Sequence, residues 1–134
     1  PRILIIAGSD SGGGAGIQAD IKTVTMLGGH AMTAVTAVTA QNTLGVDAVH
    51  AVPAEIILAQ IDSVLADIGC DAIKIGMIGS AFAARMVAER LADLSPRVPI
   101  VFDPVMVATS GAALADEATV AAVGRLMALA TLAT

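Results

Sequence analysis

The chain has 134 residues, of which 56% are hydrophobic and 14% charged, and its formal net charge is −5. Its seven Lys and Arg residues are scattered rather than clustered, which argues against a nucleic-acid-binding surface. No apolar run approaches the roughly 20 residues of a membrane-spanning helix, and no segment is typical of a signal peptide, so we expect no membrane partner. The single cysteine, Cys70, excludes an internal disulfide and indicates a reducing, cytoplasmic location; we interpret it as a small buried residue rather than a nucleophile.

Strand and helix patterns alternate along the chain. The predicted strands cover residues 2–7, 32–40, 46–51, 71–76, 98–103 and 130–134. The predicted helices cover residues 14–27, 54–68, 80–93 and 116–128, with Pro53, Ser80 and Asp116 as start signals for the last three. This alternation predicts an α/β protein with three layers, in which a mainly parallel sheet carries helices on both faces.

A glycine-rich segment follows the first predicted strand, with five glycines within residues 8–16. A loop between a strand and a helix is a common ligand site, and the following helix start is expected to offer unpaired N–H groups to an anionic or polar guest. The segment is not a Walker A loop, because Gly14 and Ala15 stand where Lys and Ser or Thr are needed. The glycine spacing also fails the dinucleotide-binding pattern. A tight turn without a ligand is the alternative.

Asp20 lies on the predicted helix that follows this loop. Residues 17, 21, 24 and 28 form an apolar stripe on that helix, and Asp20 borders the stripe. A carboxylate in this position requires a hydrogen-bond donor or a cation. An amino group or a protonated ring nitrogen of a ligand would serve, and so would Lys22 or solvent.

Polar and apolar side chains suited to a ligand follow several predicted strands. The carboxyl ends of parallel strands meet at one edge of a sheet, where ligands of α/β proteins bind. Gln41 offers an amide that complements the edge of a heteroaromatic ring, and Asp103 offers a carboxylate to a cation or a phosphate-bound metal. The apolar side chains that could enclose a flat ring are Met77, Val105 and Met106. A turn cap, ordinary core packing and an Asx turn are the alternatives for these residues one by one, but their agreement favours a pocket.

Four segments resemble, in the same order, the motifs of hydroxymethylpyrimidine/phosphomethylpyrimidine kinases. They are AGSDSGGGAGIQADIKT at residues 7–23, TAVTAQNT at 36–43, IKIGMI at 73–78 and DPVM at 103–106. The resemblance covers nearly the whole chain and implies a ribokinase-like fold. It further implies phosphorylation of the pyrimidine precursor of thiamine and of its monophosphate with ATP and Mg²⁺, and a homodimer at full length.

The same resemblance implies roles for individual residues. Asp20 and Gln41 would form hydrogen bonds with the pyrimidine, and Asp103 would lie near the transferred phosphate and its metal. The ring pocket would be lined by Gly8, Met77 and Val105.

Members of this family are longer than this chain, so we interpret residues 1–134 as the amino-terminal half of a single ribokinase-like domain. The resemblance then implies that the nucleotide pocket, the anion hole and the catalytic base lie in the other half, and that none of the residues of this chain is the base. We therefore expect the 134-residue piece alone to bind substrate weakly and not to transfer phosphate. A pyridoxine/pyridoxal kinase and a non-catalytic pyrimidine- or vitamin-binding module are the alternatives.

Overall fold

A computed structural model describes residues 1–105 and 117–134 of the chain. The strands are β1 (Arg2–Asp10), β2 (His30–Gln41), β3 (Val46–Ala51), β4 (Ala72–Ile75), β5 (Ile100–Phe102) and β6 (Leu132–Ala133). The helices are α1 (Gly16–Met26), α2 (Ala54–Asp67), α3 (Ala81–Leu91) and α4 (Glu117–Leu129). In these two ranges, no helix combines the length and the apolar character needed to cross a membrane.

The six strands form one sheet in the order β3-β2-β1-β4-β5-β6. Strands β2, β1, β4, β5 and β6 pair in parallel, whereas β3 runs antiparallel to β2 at one edge. The mainly parallel sheet predicted from the sequence is therefore confirmed. Because β1 lies between β2 and β4, the carboxyl ends of these three strands are neighbours.

The helices cover the two faces of the sheet unequally. Helix α1 packs on β1 and β2, while α2 packs on β2 and α3, and α3 packs on α4. The main core lies between the sheet and these last three helices, and its largest buried side chains are Leu4, Ile6, Ile57, Ile61, Ile73, Ile75, Leu91, Ile100, Phe102 and Leu126. Ile5, also fully buried, lies on the α1 face, because successive strand residues alternate between the two faces.

The junction between β1 and α1 differs from its prediction. Strand β1 continues to Asp10 rather than ending at residue 7, and α1 begins at Gly16 rather than at residue 14. The strand is longer because Ser9 and Asp10 still pair with β2 after a register shift. The helix is shorter because the residues before Gly16 are held in a loop by the Asp10 side chain, as described below. Shifts at the other element boundaries are small.

The other local predictions have mixed outcomes. Ser80 caps α3 as predicted, since its hydroxyl accepts a hydrogen bond from the Ala83 N–H at 3.2 Å. Asp116 and Met106 lie outside the described residues. Cys70 is partly buried rather than buried; it packs against the main core, and desolvation raises the pKa of its thiol, which favours the structural interpretation over a nucleophile.

Candidate functional site

A cavity of about 310 Å³ opens where the carboxyl ends of β1, β2, β4 and β5 meet the start of α1. Six of the seven pocket residues predicted from the sequence line it, namely Gly8, Asp20, Gln41, Met77, Asp103 and Val105, and the seventh, Met106, lies outside the described residues. Their roles toward a ligand remain predictions. The lining also includes residues that sequence reasoning did not select, and Asp10, Thr39 and Lys74 are the polar ones that matter most below.

The glycine-rich loop closes around the carboxylate of Asp10, a residue that is only 6% exposed. Asp10 Oδ1 accepts a hydrogen bond from the Gly12 N–H at 2.7 Å, and Oδ2 accepts from Gly14 at 2.9 Å and from Ala15 at 2.8 Å. The helix start predicted at residue 14 was expected to offer unpaired N–H groups to a guest, and this expectation is wrong for Gly14 and Ala15, whose N–H groups bind Asp10. The signal for this arrangement in the sequence is an Asp followed, two to five residues later, by small residues whose N–H groups its side chain can reach.

Two glycines on the cavity wall allow close contacts, and at Gly16 the backbone requires a glycine. Gly16 has a φ of +55°, and a Cβ added there would lie 2.3 Å from the carbonyl oxygen of Gly8. A Cβ on Gly8 would lie 2.6 Å from Cε of Met77, so the missing side chain lets Met77 rest against the backbone of β1. Both glycines therefore allow close approach between elements of the fold.

Asp20 forms an ion pair with Lys74 across the cavity wall, with Lys74 Nζ 2.8 Å from Asp20 Oδ2. The two side chains are 23% and 24% exposed. The alternative pairing with Lys22 is wrong, because the Lys22 ammonium donates to the carbonyl of Gly13. Lys74 was missed, although it stands between Ile73 and Ile75 in β4. Since both isoleucines join the main core, the alternation of the strand directs Lys74 to the face that α1 covers.

Gln41 is fixed both through its backbone and through its side chain. The Ser11 hydroxyl donates to the carbonyl of Gln41 and accepts from its N–H, both at 2.7 Å. Thr39 Oγ1 lies 3.0 Å from Gln41 Oε1 and 3.1 Å from the carbonyl oxygen of Ser9. Thr39 engages only one end of the Gln41 amide, and the amide can both donate and accept hydrogen bonds.

Asp103 and Val105 form the cavity wall that follows β5. The Asp103 N–H donates to the carbonyl of Ile75 at 2.9 Å, and the Val105 N–H donates to the carbonyl of Asp103 at 2.8 Å. The chain therefore leaves the sheet in a tight turn around Pro104, and the half-buried side chains of Asp103 and Val105 lie at the cavity.

The carboxylates at the cavity differ in their fitness for a metal ion. Within residues 1–105 and 117–134, no three His, Cys, Asp or Glu side chains group closely enough to hold a metal. Among the described cavity residues, Asp10 is engaged by loop N–H groups and Asp20 by Lys74, and Asp103 is the third carboxylate. Mg²⁺ is commonly bound by one or two carboxylates together with substrate phosphates and water, and a single Asp103 fits that pattern.

A family model described as phosphomethylpyrimidine kinase matches residues 10–134. The hydroxymethylpyrimidine/phosphomethylpyrimidine kinase of Mycobacterium leprae is 52% identical over 99% of this chain and 48% of its own length. The protein of the same name from Streptomyces coelicolor is 50% identical over 100% of this chain and 49% of its own. The chain thus spans about half the length of these curated relatives.

Solved structures support the same relationship. The phosphomethylpyrimidine kinase of Clostridium difficile 630 superposes with a TM-score of 0.90 and 43% identity, over 98% of this chain and 57% of that one. The pyridoxal kinase of Staphylococcus aureus in complex with pyridoxal gives a TM-score of 0.84 and 33% identity, over 98% and 47% of the two chains. The predicted ribokinase-like α/β fold is confirmed, and this chain belongs to the phosphomethylpyrimidine kinase family.

Proposed function

We propose that the complete protein uses ATP and Mg²⁺ to phosphorylate hydroxymethylpyrimidine, the aminopyrimidine precursor of thiamine, and then its monophosphate. Residues 1–134 would supply the pocket for the pyrimidine. The observation that carries this proposal is the cavity that brings together the Gln41 amide, the Asp20 carboxylate and the apolar side chains of Met77 and Val105. Membership of the kinase family supports the reaction class.

The polar groups of the cavity complement the edge of an aminopyrimidine. Such a ring carries an exocyclic amino donor beside a ring nitrogen acceptor. The Asp20 carboxylate only accepts hydrogen bonds when it is ionised and would take the amino group, whereas Gln41 would both donate and accept. Met77 and Val105 would contact the flat faces of the ring, for which flexible and branched apolar side chains are suitable.

The transfer step would take place beside Asp103. This carboxylate would hold Mg²⁺ directly or through water, next to the hydroxymethyl group that accepts the phosphate. When bound, Mg²⁺ neutralises the charge on the phosphate oxygens during in-line transfer. We place the anion hole and the base that takes the hydroxyl proton in the remainder of the complete protein. A cytoplasmic homodimer is part of the same proposal.

The direct test is substrate comparison with the complete protein. Purified protein is incubated with ATP, MgCl₂ and either hydroxymethylpyrimidine or pyridoxal, and phosphorylated products are quantified by mass spectrometry. We expect both successive phosphorylations of the pyrimidine and a lower kcat/KM for pyridoxal. Absence of any phosphorylated pyrimidine would overturn the proposal.

A pyridoxal kinase is the second candidate, favoured by the close superposition on the Staphylococcus aureus enzyme. A higher kcat/KM for pyridoxal than for hydroxymethylpyrimidine in the same assay would support this candidate. Calorimetric binding of the pyrimidine without any turnover of ATP would instead support a non-catalytic binding protein.

A further inference from the structure

We propose that Asp10 is a positioning residue whose carboxylate acts as a built-in anion. It folds the glycine-rich loop and thereby aligns both Gln41 and Asp20 at the cavity. The kinetic part of the test rests on the proposed function, whereas the stability part does not.

The N–H groups of the glycine-rich loop are occupied by a side chain of the protein itself. Backbone N–H groups that converge from successive residues of a glycine-rich turn form a concave site for an anion, as in many phosphate-binding loops. Here the buried Asp10 carboxylate fills that site, because its two oxygens accept three such bonds of 2.7–2.9 Å from Gly12, Gly14 and Ala15. Charge-assisted bonds of this kind are stronger than neutral ones. The loop conformation therefore depends on an anion that the chain itself provides.

Hydrogen bonds of Ser11 connect the loop to Gln41. Ser11 is the residue next to Asp10, and its hydroxyl forms two 2.7 Å hydrogen bonds with the backbone of Gln41. Gly12 packs beside the same segment, since a Cβ added to it would lie 3.2 Å from the Gln41 carbonyl oxygen. A loop that loses its shape would release the backbone that carries the Gln41 amide.

The start of α1 connects the loop to Asp20. Ala15 directly precedes α1, so its bond to Asp10 fixes where the helix begins. The Asp10 N–H donates to Gln18 Oε1 at 2.9 Å, and Gln18 Nε2 donates to the Ser9 hydroxyl at 2.8 Å. These contacts hold the first turn of α1 against the end of β1, and Asp20 follows on the same helix.

The arrangement also separates positioning from ligand contact. Asp10 lines the cavity, but both of its carboxylate oxygens already accept loop N–H groups. A contact residue would change substrate affinity alone, and a merely structural residue would change stability alone. A positioning residue changes both, and a small anion that refills its site restores both.

The experiment uses Asp10→Ala in the complete protein, with sodium formate as the replacement anion and sodium chloride at equal concentration as the salt control. The KM for hydroxymethylpyrimidine is expected to rise about tenfold or more, while the KM for ATP stays within about twofold. Formate should reverse most of the KM change. Without any substrate, it should also raise the unfolding midpoint of the variant by about 2–4 °C.

Two matched controls isolate the effect. Asp67→Ala removes an exposed carboxylate at the end of α2, and neither this variant nor the wild type should respond to formate beyond the chloride control. Asp10→Asn keeps an acceptor oxygen and fills the site, so it should show a raised KM that formate does not correct.

Each outcome of the experiment either supports or overturns the proposed role of Asp10. An unchanged pyrimidine KM in Asp10→Ala overturns the proposal, and so does a folded Asp10→Ala whose midpoint ignores formate. If Asp10→Ala does not fold, Asp10→Asn decides through its KM, and an unchanged value again overturns the proposal. If the wild type phosphorylates no pyrimidine, the proposed function fails, while the formate effect on the midpoint still tests Asp10.

Discussion

At the scale of single residues, the chemistry of the cavity depends on an ion pair between distant parts of the chain. Asp20 is less than a quarter exposed, and a carboxylate removed from water to this degree needs a compensating charge. Lys74 of β4 supplies that charge, with its Nζ 2.8 Å from Asp20 Oδ2. Removing either partner would leave the other charge unpaired at the cavity, which costs more than the pair contributes when intact.

Lys74→Met in the complete protein is expected to raise the KM for the pyrimidine by an amount equivalent to about 1–3 kcal/mol, because Asp20 loses its partner. Lys74→Arg should recover part of this loss, since the positive charge remains. Steady-state kinetics give the measurement, with Arg85→Met on exposed α3 surface as the control. An unchanged KM in Lys74→Met would show that the pair does not serve the ligand site.

Gln41→Ala is expected to raise the KM for the pyrimidine by a similar amount, about 1–3 kcal/mol, because the ring edge would lose a hydrogen-bond partner in a partly desolvated site. Gln60→Ala is the matched control. The Gln60 amide bonds the backbone of Val35 from α2, so its loss should lower the unfolding midpoint and leave the KM unchanged. A KM of Gln41→Ala no higher than that of Gln60→Ala would show that Gln41 does not contact the pyrimidine.

At the scale of elements, the join between β1 and α1 determines the shape of the cavity. The helix can start close to the strand only because Gly16 has a positive φ and no side chain. An alanine there would meet the Gly8 carbonyl and would also occupy a left-handed conformation that L-residues disfavour. Neither obstacle can be relieved without moving the strand or the helix.

Gly16→Ala is therefore expected to lower the free energy of unfolding by about 2–4 kcal/mol, measured by urea titration. Gly124→Ala provides a control with the opposite sign, because Gly124 lies within α4 and a Cβ there would meet no atom of the described residues within 4 Å. That change should stabilise the protein by about 0.5–1 kcal/mol through helix propensity. A Gly16→Ala protein as stable as the wild type would contradict the close approach at this junction.

At the scale of the whole molecule, an exposed ion pair joins the start of β1 to the residue before β4. Arg2 Nη2 lies 2.6 Å from Asp71 Oδ1, and the backbone N–H of Arg2 donates to Asp71 Oδ2 at 2.7 Å. Hydrogen bonds from Arg2 lower the pKa of Asp71 to about 2 from its ordinary value of 3.8. Because the folded-state pKa is the lower one, the contribution to stability is present above about pH 4 and is lost as the pH falls toward 2.

Asp71→Asn should therefore be less stable than the wild type at pH 6, and the difference should vanish as the pH approaches 2. Urea midpoints recorded from pH 6 to pH 2 give the comparison. The effect should be modest, because the Arg2 and Asp71 side chains are 47% and 44% exposed. A difference that stays constant across this pH range would show that Asp71 does not act through its charge.

The sequence by itself determined the alternation of strands and helices, the mainly parallel sheet and the six residues that the cavity brings together. These follow from local patterns, because periodicity of apolar residues defines the elements and the carboxyl ends of parallel strands meet at one edge. Gly8, Gln41 and Asp103 could be selected in this way because each stands at or near a strand end. The family motifs added specificity to that selection.

Only the tertiary structure decided which partner each polar group has. Asp20 pairs with Lys74, which is 54 positions away in sequence. The pair can form because β4 lies next to β1 in the sheet and Lys74 lies on the face of the sheet that α1 covers. The fold also buries Asp10 where it binds the N–H groups of Gly14 and Ala15, which the predicted helix start was expected to offer to a ligand. Periodicity identifies the face of an element, but strand order, register and loop conformation decide what that face meets. These are properties of the assembled sheet rather than of any one segment.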